Sequence, residues 1–117
     1  MKNKTATRYY SSLQEQYVAE QLGGEKTTNS GASHFVSGDV IIPNTMVIEC
    51  KTTTKDGAKS WSIKKEWLEQ VIKERLDLML PYCALAISKT PSGDDNMYVI
   101  DEKLMKMLVE VLRGEEN

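Results

Sequence analysis

Residues 39–51 read Asp39-Val40-Ile41-Ile42-Pro43-Asn44-Thr45-Met46-Val47-Ile48-Glu49-Cys50-Lys51, two short apolar runs joined by a Pro-Asn-Thr turn. Apolar runs on either side of turn-forming residues predict a β-hairpin. Successive side chains of a strand point to opposite faces, so Glu49 and Lys51 share one face and Cys50 points to the other. With a three-residue loop centred on Asn44, Asp39 and Glu49 stand equally far from the turn and oppose each other. Directly opposed side chains have Cβ atoms roughly 4.5–5.5 Å apart, and like charges there repel. A loop of a different length would make the pair diagonal. Two carboxylates at the mouth of an apolar hairpin need a compensating cation. Magnesium suits them, because it takes carboxylate oxygens and keeps water ligands for chemistry.

Outward from the hairpin, the chain reads as alternating helices and strands. A first helix is expected from about Ser12 to Leu22, capped by Ser11 or Ser12, with Leu13, Tyr17, Val18 and Leu22 apolar and Gly23-Gly24 as its stop. After the hairpin and a polar loop, a second helix is expected over about Ile63–Leu80. Trp67, Leu68, Val71, Ile72, Leu76 and Met79 recur there at helical spacing before Pro81. Cys83–Ile87 and Met97–Ile100 read as strands, and Asp101 as the cap of a last helix over Glu102–Leu112. The order α-β-β-α-β-β-α predicts an α/β fold, a mixed β-sheet flanked by helices, in one domain spanning residues 1–117. Within that domain, residues 1–10 are expected to be a basic, flexible N-terminal arm.

Apolar residues make up 40% and charged residues 27% of the 117, an ordinary globular composition. No apolar run approaches the roughly 20 residues that span a bilayer, so no membrane partner is expected. Cys50 and Cys83 with the lone His34 are too few for a zinc site or a disulfide framework, and reduced thiols point to the cytoplasm. The net charge of −2 does not advertise a nucleic-acid binder, but its distribution is uneven. Lys2, Lys4 and Arg8 precede the first acid, Glu15, and Lys51, Lys55, Lys59, Lys64 and Lys65 face only Asp56 in their segment. Such basic stretches on an acidic body are compatible with a local phosphate-binding face. Scattered solvated lysines explain them equally well.

Phosphodiester hydrolysis accounts for this set of residue types. A metal held by Asp39 and Glu49 would neutralise phosphate charge and acidify water, and Lys51 would orient that water or stabilise developing charge. A lone Glu-x-Lys is ordinarily an edge-strand ion pair. The opposed Asp39 and the flanking strands favour the catalytic account. Asp101-Glu102-Lys103 also follows an apolar strand, but its Asp stands where a helix cap is needed.

Asp39 followed after nine residues by Glu49-Cys50-Lys51 resembles the signature of the PD-(D/E)xK nuclease superfamily, with Gly38 replacing the usual proline. The likeness is strongest to its Holliday junction resolvases, of the archaeal and phage endonuclease I types, and covers about Ser12 to Ile100. It implies a restriction-endonuclease-like core and a homodimer cutting branched DNA with Mg2+, for which Mn2+ substitutes. It also implies a metal site of Asp39, Glu49, the Cys50 backbone carbonyl and a glutamate on the first helix. Glu15 matches that last position, with Glu20 as the alternative. A phage-encoded enzyme suits the compact size, acting in the bacterial cytoplasm or an infected host. Resolvases are usually basic overall, and this chain is not. A nuclease for another DNA substrate (repair, restriction-like or single-strand) and a non-catalytic DNA binder of the same fold remain open.

Candidate DNA contacts are Lys2, Lys4, Arg8, Ser33, His34, Lys55, Lys64 and Lys65, with Ser30 a weaker one. Gln70 resembles a glutamine that some of these nucleases carry on the helix after the motif. Trp61 and Trp67 are expected in the core or at an interface rather than as stacking platforms. The helices Ile63–Leu80 and Glu102–Leu112 are candidate dimer surfaces.

Overall fold

The computed structural model describes residues 4–27, 39–52, 57 and 59–114, without the side chains of residues 4–8. The elements run α1 (Lys4–Leu22), β1 (Glu25–Lys26), β2 (Asp39–Ile42), β3 (Met46–Lys51), α2 (Lys65–Asp77), β4 (Tyr82–Ser88), β5 (Asn96–Val99) and α3 (Glu102–Leu112). They form a five-stranded mixed sheet in the order β1-β2-β3-β4-β5, in which only β3 and β4 pair in parallel. That is the expected α/β class with one strand added. The two residues of β1 were too short to carry a period-2 signal.

The hairpin register follows the turn chemistry. Pro43 and Asn44, with Asn44 at φ 59, occupy the central positions of a turn that the Thr45 N–H closes by donating to the Ile42 carbonyl at 3.0 Å. Proline followed by a residue with positive φ suits a type II turn. Asp39 therefore pairs with Glu49, as the three-residue loop requires.

Alternation then sorts the sheet into two faces. Val40, Ile48, Cys50, Ala84 and Ala86 form one core with Val18 and Ala19 of α1. Val47 and Leu85 lie buried on the other face, which packs against α2 and its buried Val71.

The first helix corrects an expectation. It begins at Lys4 rather than Ser12, so most of the supposed basic arm is helical. Residues 4–11 contain neither Gly nor Pro, and an internal serine is not an obligatory start. At its other end the Gly24 N–H donates to the Ala19 carbonyl at 2.9 Å, with Gly23 at φ 70. A Cβ on Gly24 would stand 2.8 Å from Val40 Cγ1, so the absence of a side chain lets α1 turn closely onto β2.

The second helix is shorter than expected, because its last turn closes early. The Leu80 N–H donates to the Arg75 carbonyl and the Met79 N–H to the Leu76 carbonyl, a Schellman pattern with Met79 at φ 57. A left-handed conformation costs an L-residue roughly 1–2 kcal/mol, and Met79 is exposed. Met79→Gly should therefore leave the fold intact and raise its unfolding free energy by up to about 1 kcal/mol, read from denaturant midpoints at an unchanged m-value. A lowered midpoint would mean that the methionine side chain outweighs the backbone strain.

Candidate functional site

The hairpin and α2 bring three carboxylates together. Asp39 starts β2, Glu49 lies opposite it on β3, and Glu74 faces both from α2. One oxygen of each falls within 4.8 Å of the others. Asp39 is 0%, Glu49 2% and Glu74 7% exposed. Both Asp39 oxygens and Glu49 Oε1 are buried with no hydrogen-bond donor among the described residues. The other Glu49 oxygen, Oε2, accepts an ion pair from Lys51 Nζ at 3.1 Å. That ammonium also stands 5.0 Å from the centroid of the Trp67 ring, and Lys64 Nζ lies 5.7 Å from it. The cation contacts place Trp67 at the edge of the site, although it was expected to serve the core or an interface.

Burying acids this closely has an electrostatic consequence. Burial first, and then the Glu49 and Glu74 carboxyls, push the Asp39 pKa up to about 10. With both Asp39 oxygens and Glu49 Oε1 buried and without a donor among the described residues, the opposed pair favours holding either a proton or a cation. The donor set fits the latter. Its oxygens are those of a hard-cation site. Opposite ligands of a magnesium ion lie about 4.2 Å apart, and those of calcium about 4.6–5.2 Å.

Glu74 was missed in the sequence, yet a signal exists. On α2 the buried positions are Val71 and Glu74, three apart as helical spacing requires, so an acid occupies a core position. A charge there seldom persists without a partner. It lies one turn beyond Gln70, the residue singled out on this helix.

On the first helix, Gln14 bonds the motif strand directly, and Glu15, the expected helix-borne acid, lies next to it. Glu15 is buried, and burial raises its pKa while Lys26 opposes the rise. It lies on the α1 side that carries Val18 and Ala19, outside the three-carboxylate group. Glu20 is exposed and accepts a hydrogen bond from Gln16. Gln14, fully buried, is the residue that ties α1 to the strand ends. Its Nε2 donates to the carbonyls of Lys51 at 3.0 Å and Ala86 at 3.1 Å and to Asn96 Oδ1 at 2.9 Å. A Cβ on Gly93 would stand 2.6 Å from Gln14 Cα, so the β4–β5 loop closes over this contact.

The Cys50 thiol points into the α1-side core, where burial pushes its pKa up, and neither cysteine is in a disulfide. Asp101 caps α3, its Oδ1 accepting from the Leu104 N–H at 2.9 Å. Lys64 and Lys65 are exposed at the start of α2. Lys2, Ser30, Ser33, His34, Gly38 and Lys55 lie outside the described residues, as do the side chains of Lys4 and Arg8. Among the described residues no helix is long and apolar enough to cross a membrane. Comparison with protein-family models, with curated proteins and with solved structures returned no match.

The raised Asp39 pKa sets the pH response of the metal-free protein. Between the ordinary value of 3.8 and about 10, the folded state keeps a proton that the unfolded chain releases. Stability should therefore fall as pH rises through this window. Asp39→Asn should flatten the fall, and magnesium should raise the melting temperature more at pH 8 than at pH 5, because it displaces the proton. Melting curves of both proteins across pH, with and without magnesium, check this. Identical pH profiles would show that Asp39 holds no such proton.

Proposed function

We infer that this chain is a magnesium-dependent endodeoxyribonuclease of the PD-(D/E)xK type, acting on branched DNA as Holliday junction resolvases do. The observation that carries the reading is the buried Asp39–Glu49–Glu74 cluster with the Lys51 ammonium at its edge. The sheet supports it, since the motif hairpin leads through α2 into a parallel strand, as a restriction-endonuclease-like core requires.

In this reading Asp39, Glu49, Glu74 and the Cys50 carbonyl hold the cation, with Mn2+ able to replace Mg2+. A bound magnesium supplies neutralisation of phosphate charge and lowers the pKa of water. The protein does the rest. Glu49 holds Lys51 at the mouth of the cluster, and Lys51, partly exposed, can orient a water or meet charge growing on the phosphate. Trp67 limits the directions open to the lysine through its ring contact. Gln14 fixes the Lys51 backbone carbonyl and so the end of β3. Glu15, buried on α1, remains the candidate helix-borne acid of the site. Lys64 and Lys65 extend positive charge from the site along the start of α2. The free thiols suit a reducing compartment, such as the cytoplasm of a bacterium or an infected host.

Symmetric cutting of two strands needs two sites, and a second copy is the proposed partner. Exposed Ile72 and Leu76 of α2, with Met105, Leu108, Val111 and Leu112 of α3, supply an apolar surface for it. Leu108→Glu with Val111→Glu should shift a sedimentation profile from dimer to monomer. A wild-type monomer at every concentration would remove the dimer.

Cleavage of labelled four-way junction, duplex and single strands, with magnesium or with chelator, tests the activity. Asp39→Asn and Glu49→Gln should abolish cutting. Lys51→Ala should lose about 10²–10³-fold in kcat while titration calorimetry still detects metal. Glu74→Gln should lose roughly 10- to 100-fold in metal affinity or rate. Normal cutting by Lys51→Ala would leave the lysine a plain ion pair and end the motif reading.

A further inference from the structure

Beside Lys51, a cavity of about 210 Å³ opens between the end of β3 and the segment leading into α2, and none of the three carboxylates lines it. Trp61 and Trp67 line it together with Lys51, and the hydroxyl-bearing Ser60 and Ser62 stand at its rim. Trp61 is 48% exposed, an uncommon position for an indole with no ring partner among the described residues. Trp67 is half-buried and already carries Lys51 and Lys64 near its ring. Lys51 both lines the cavity and pairs with Glu49, so one side chain is shared by the cavity and the candidate active site. Lys51 Nζ touches Glu49 on one side and the Trp67 ring on the other.

We propose that this cavity takes an unstacked nucleobase next to the phosphate held at the carboxylate cluster, with Trp61 as the stacking surface. The proposal rests on the phosphodiesterase reading above and adds a substrate requirement to it. An indole offers a flat π-face that any base can stack on, and positive charge nearby meets the backbone of the same nucleotide. Lys51 and Lys64 supply that charge. Ser60 and Ser62 offer donors and acceptors to a base edge.

A base reaches such a cavity only after leaving its stack. In continuous duplex this costs unpairing and unstacking, which an unpaired nucleotide at a junction, flap, mismatch or single strand has largely already met. The site therefore selects DNA with an unpaired nucleotide at the cut, by structure and not by sequence. Trp61 is a specificity-determining residue in this scheme. The hydrolytic groups remain those of the cluster.

Two readouts separate this proposal from the activity it rests on. The first is binding without cutting: fluorescence anisotropy of a labelled oligothymidine titrated with protein in calcium. Trp61→Ala should weaken binding about 5- to 150-fold, the loss equivalent to one base stacked on one aromatic ring, and Trp61→Phe should restore most of it. The second is the cleavage ratio of a duplex carrying one unpaired thymidine to the same duplex fully paired. That ratio should exceed one for the wild type and fall by the same factor in Trp61→Ala. Placing an abasic nucleotide at the unpaired position should reproduce the fall in the wild type. Equal anisotropy curves for wild type and Trp61→Ala overturn the base cavity even if the protein cuts DNA. Absence of cutting alongside a Trp61-dependent binding loss would end the nuclease reading and leave the base-binding cavity standing.

Discussion

Three carboxylates share one small buried volume, and the structure around them is organised by the cost of putting them there. A lone buried carboxylate shifts its pKa or finds a cation, because desolvation in a low-dielectric interior is expensive. Here Asp39 and Glu49 are forced together by strand register, and α2 adds Glu74. The Lys51 ammonium pairs with Glu49. Burial first, and then the neighbouring Glu49 and Glu74 carboxyls, raise the Asp39 pKa so that its protonated form is favoured. Buried Asp39 oxygens with no donor among the described residues are suited to binding a cation and releasing a proton as they do so.

The scaffold holds this arrangement from both faces of the sheet. On the α1 face a small-residue core of Ala19, Ala84 and Ala86 lets the helix approach closely, and Gln14 donates to three acceptors at the strand ends. Ordering the carbonyl of Lys51 through Gln14 links α1 to the motif strand without a charged residue. On the α2 face the helix contributes an acid and an indole one after the other along its inward side. Glu74 meets the carboxylates and Trp67 meets the lysine. The helix after the motif is thus a wall of the site as well as a crossover between parallel strands.

Apolar surface is distributed less economically. The sequence periodicity of α2 and α3 suggests helices that bury a full stripe, yet Ile72, Leu76, Leu108 and Val111 remain exposed, and Leu104 is the one α3 residue buried among those described. Tyr82 donates its hydroxyl to Met107 Sδ, a modest tether for a helix with so much apolar surface. The amphipathic pattern reports that a face will be covered, and it does not distinguish the chain's own core from a second subunit.

The local elements of the site were determined by the sequence alone. Turn chemistry at Pro43-Asn44-Thr45 set the hairpin length. Period-2 alternation then placed Asp39 opposite Glu49 and put Lys51 on the same face. These are short-range consequences of backbone sterics and need no distant contact. The cap at Asp101 was legible for the same reason. Glu74, Gln14 and the role of Trp67 were decided only by tertiary structure. Each depends on which face of a helix meets which strand, and helical periodicity is silent about the partner. The start of α1 was also hidden, because a serine pair reads as a cap in isolation and as ordinary helix when the turn before it continues. Glu15 and Gln14 are neighbours in sequence but differ by a third of a helical turn. Packing of α1 on the sheet is what brings the Gln14 amide to the motif strand.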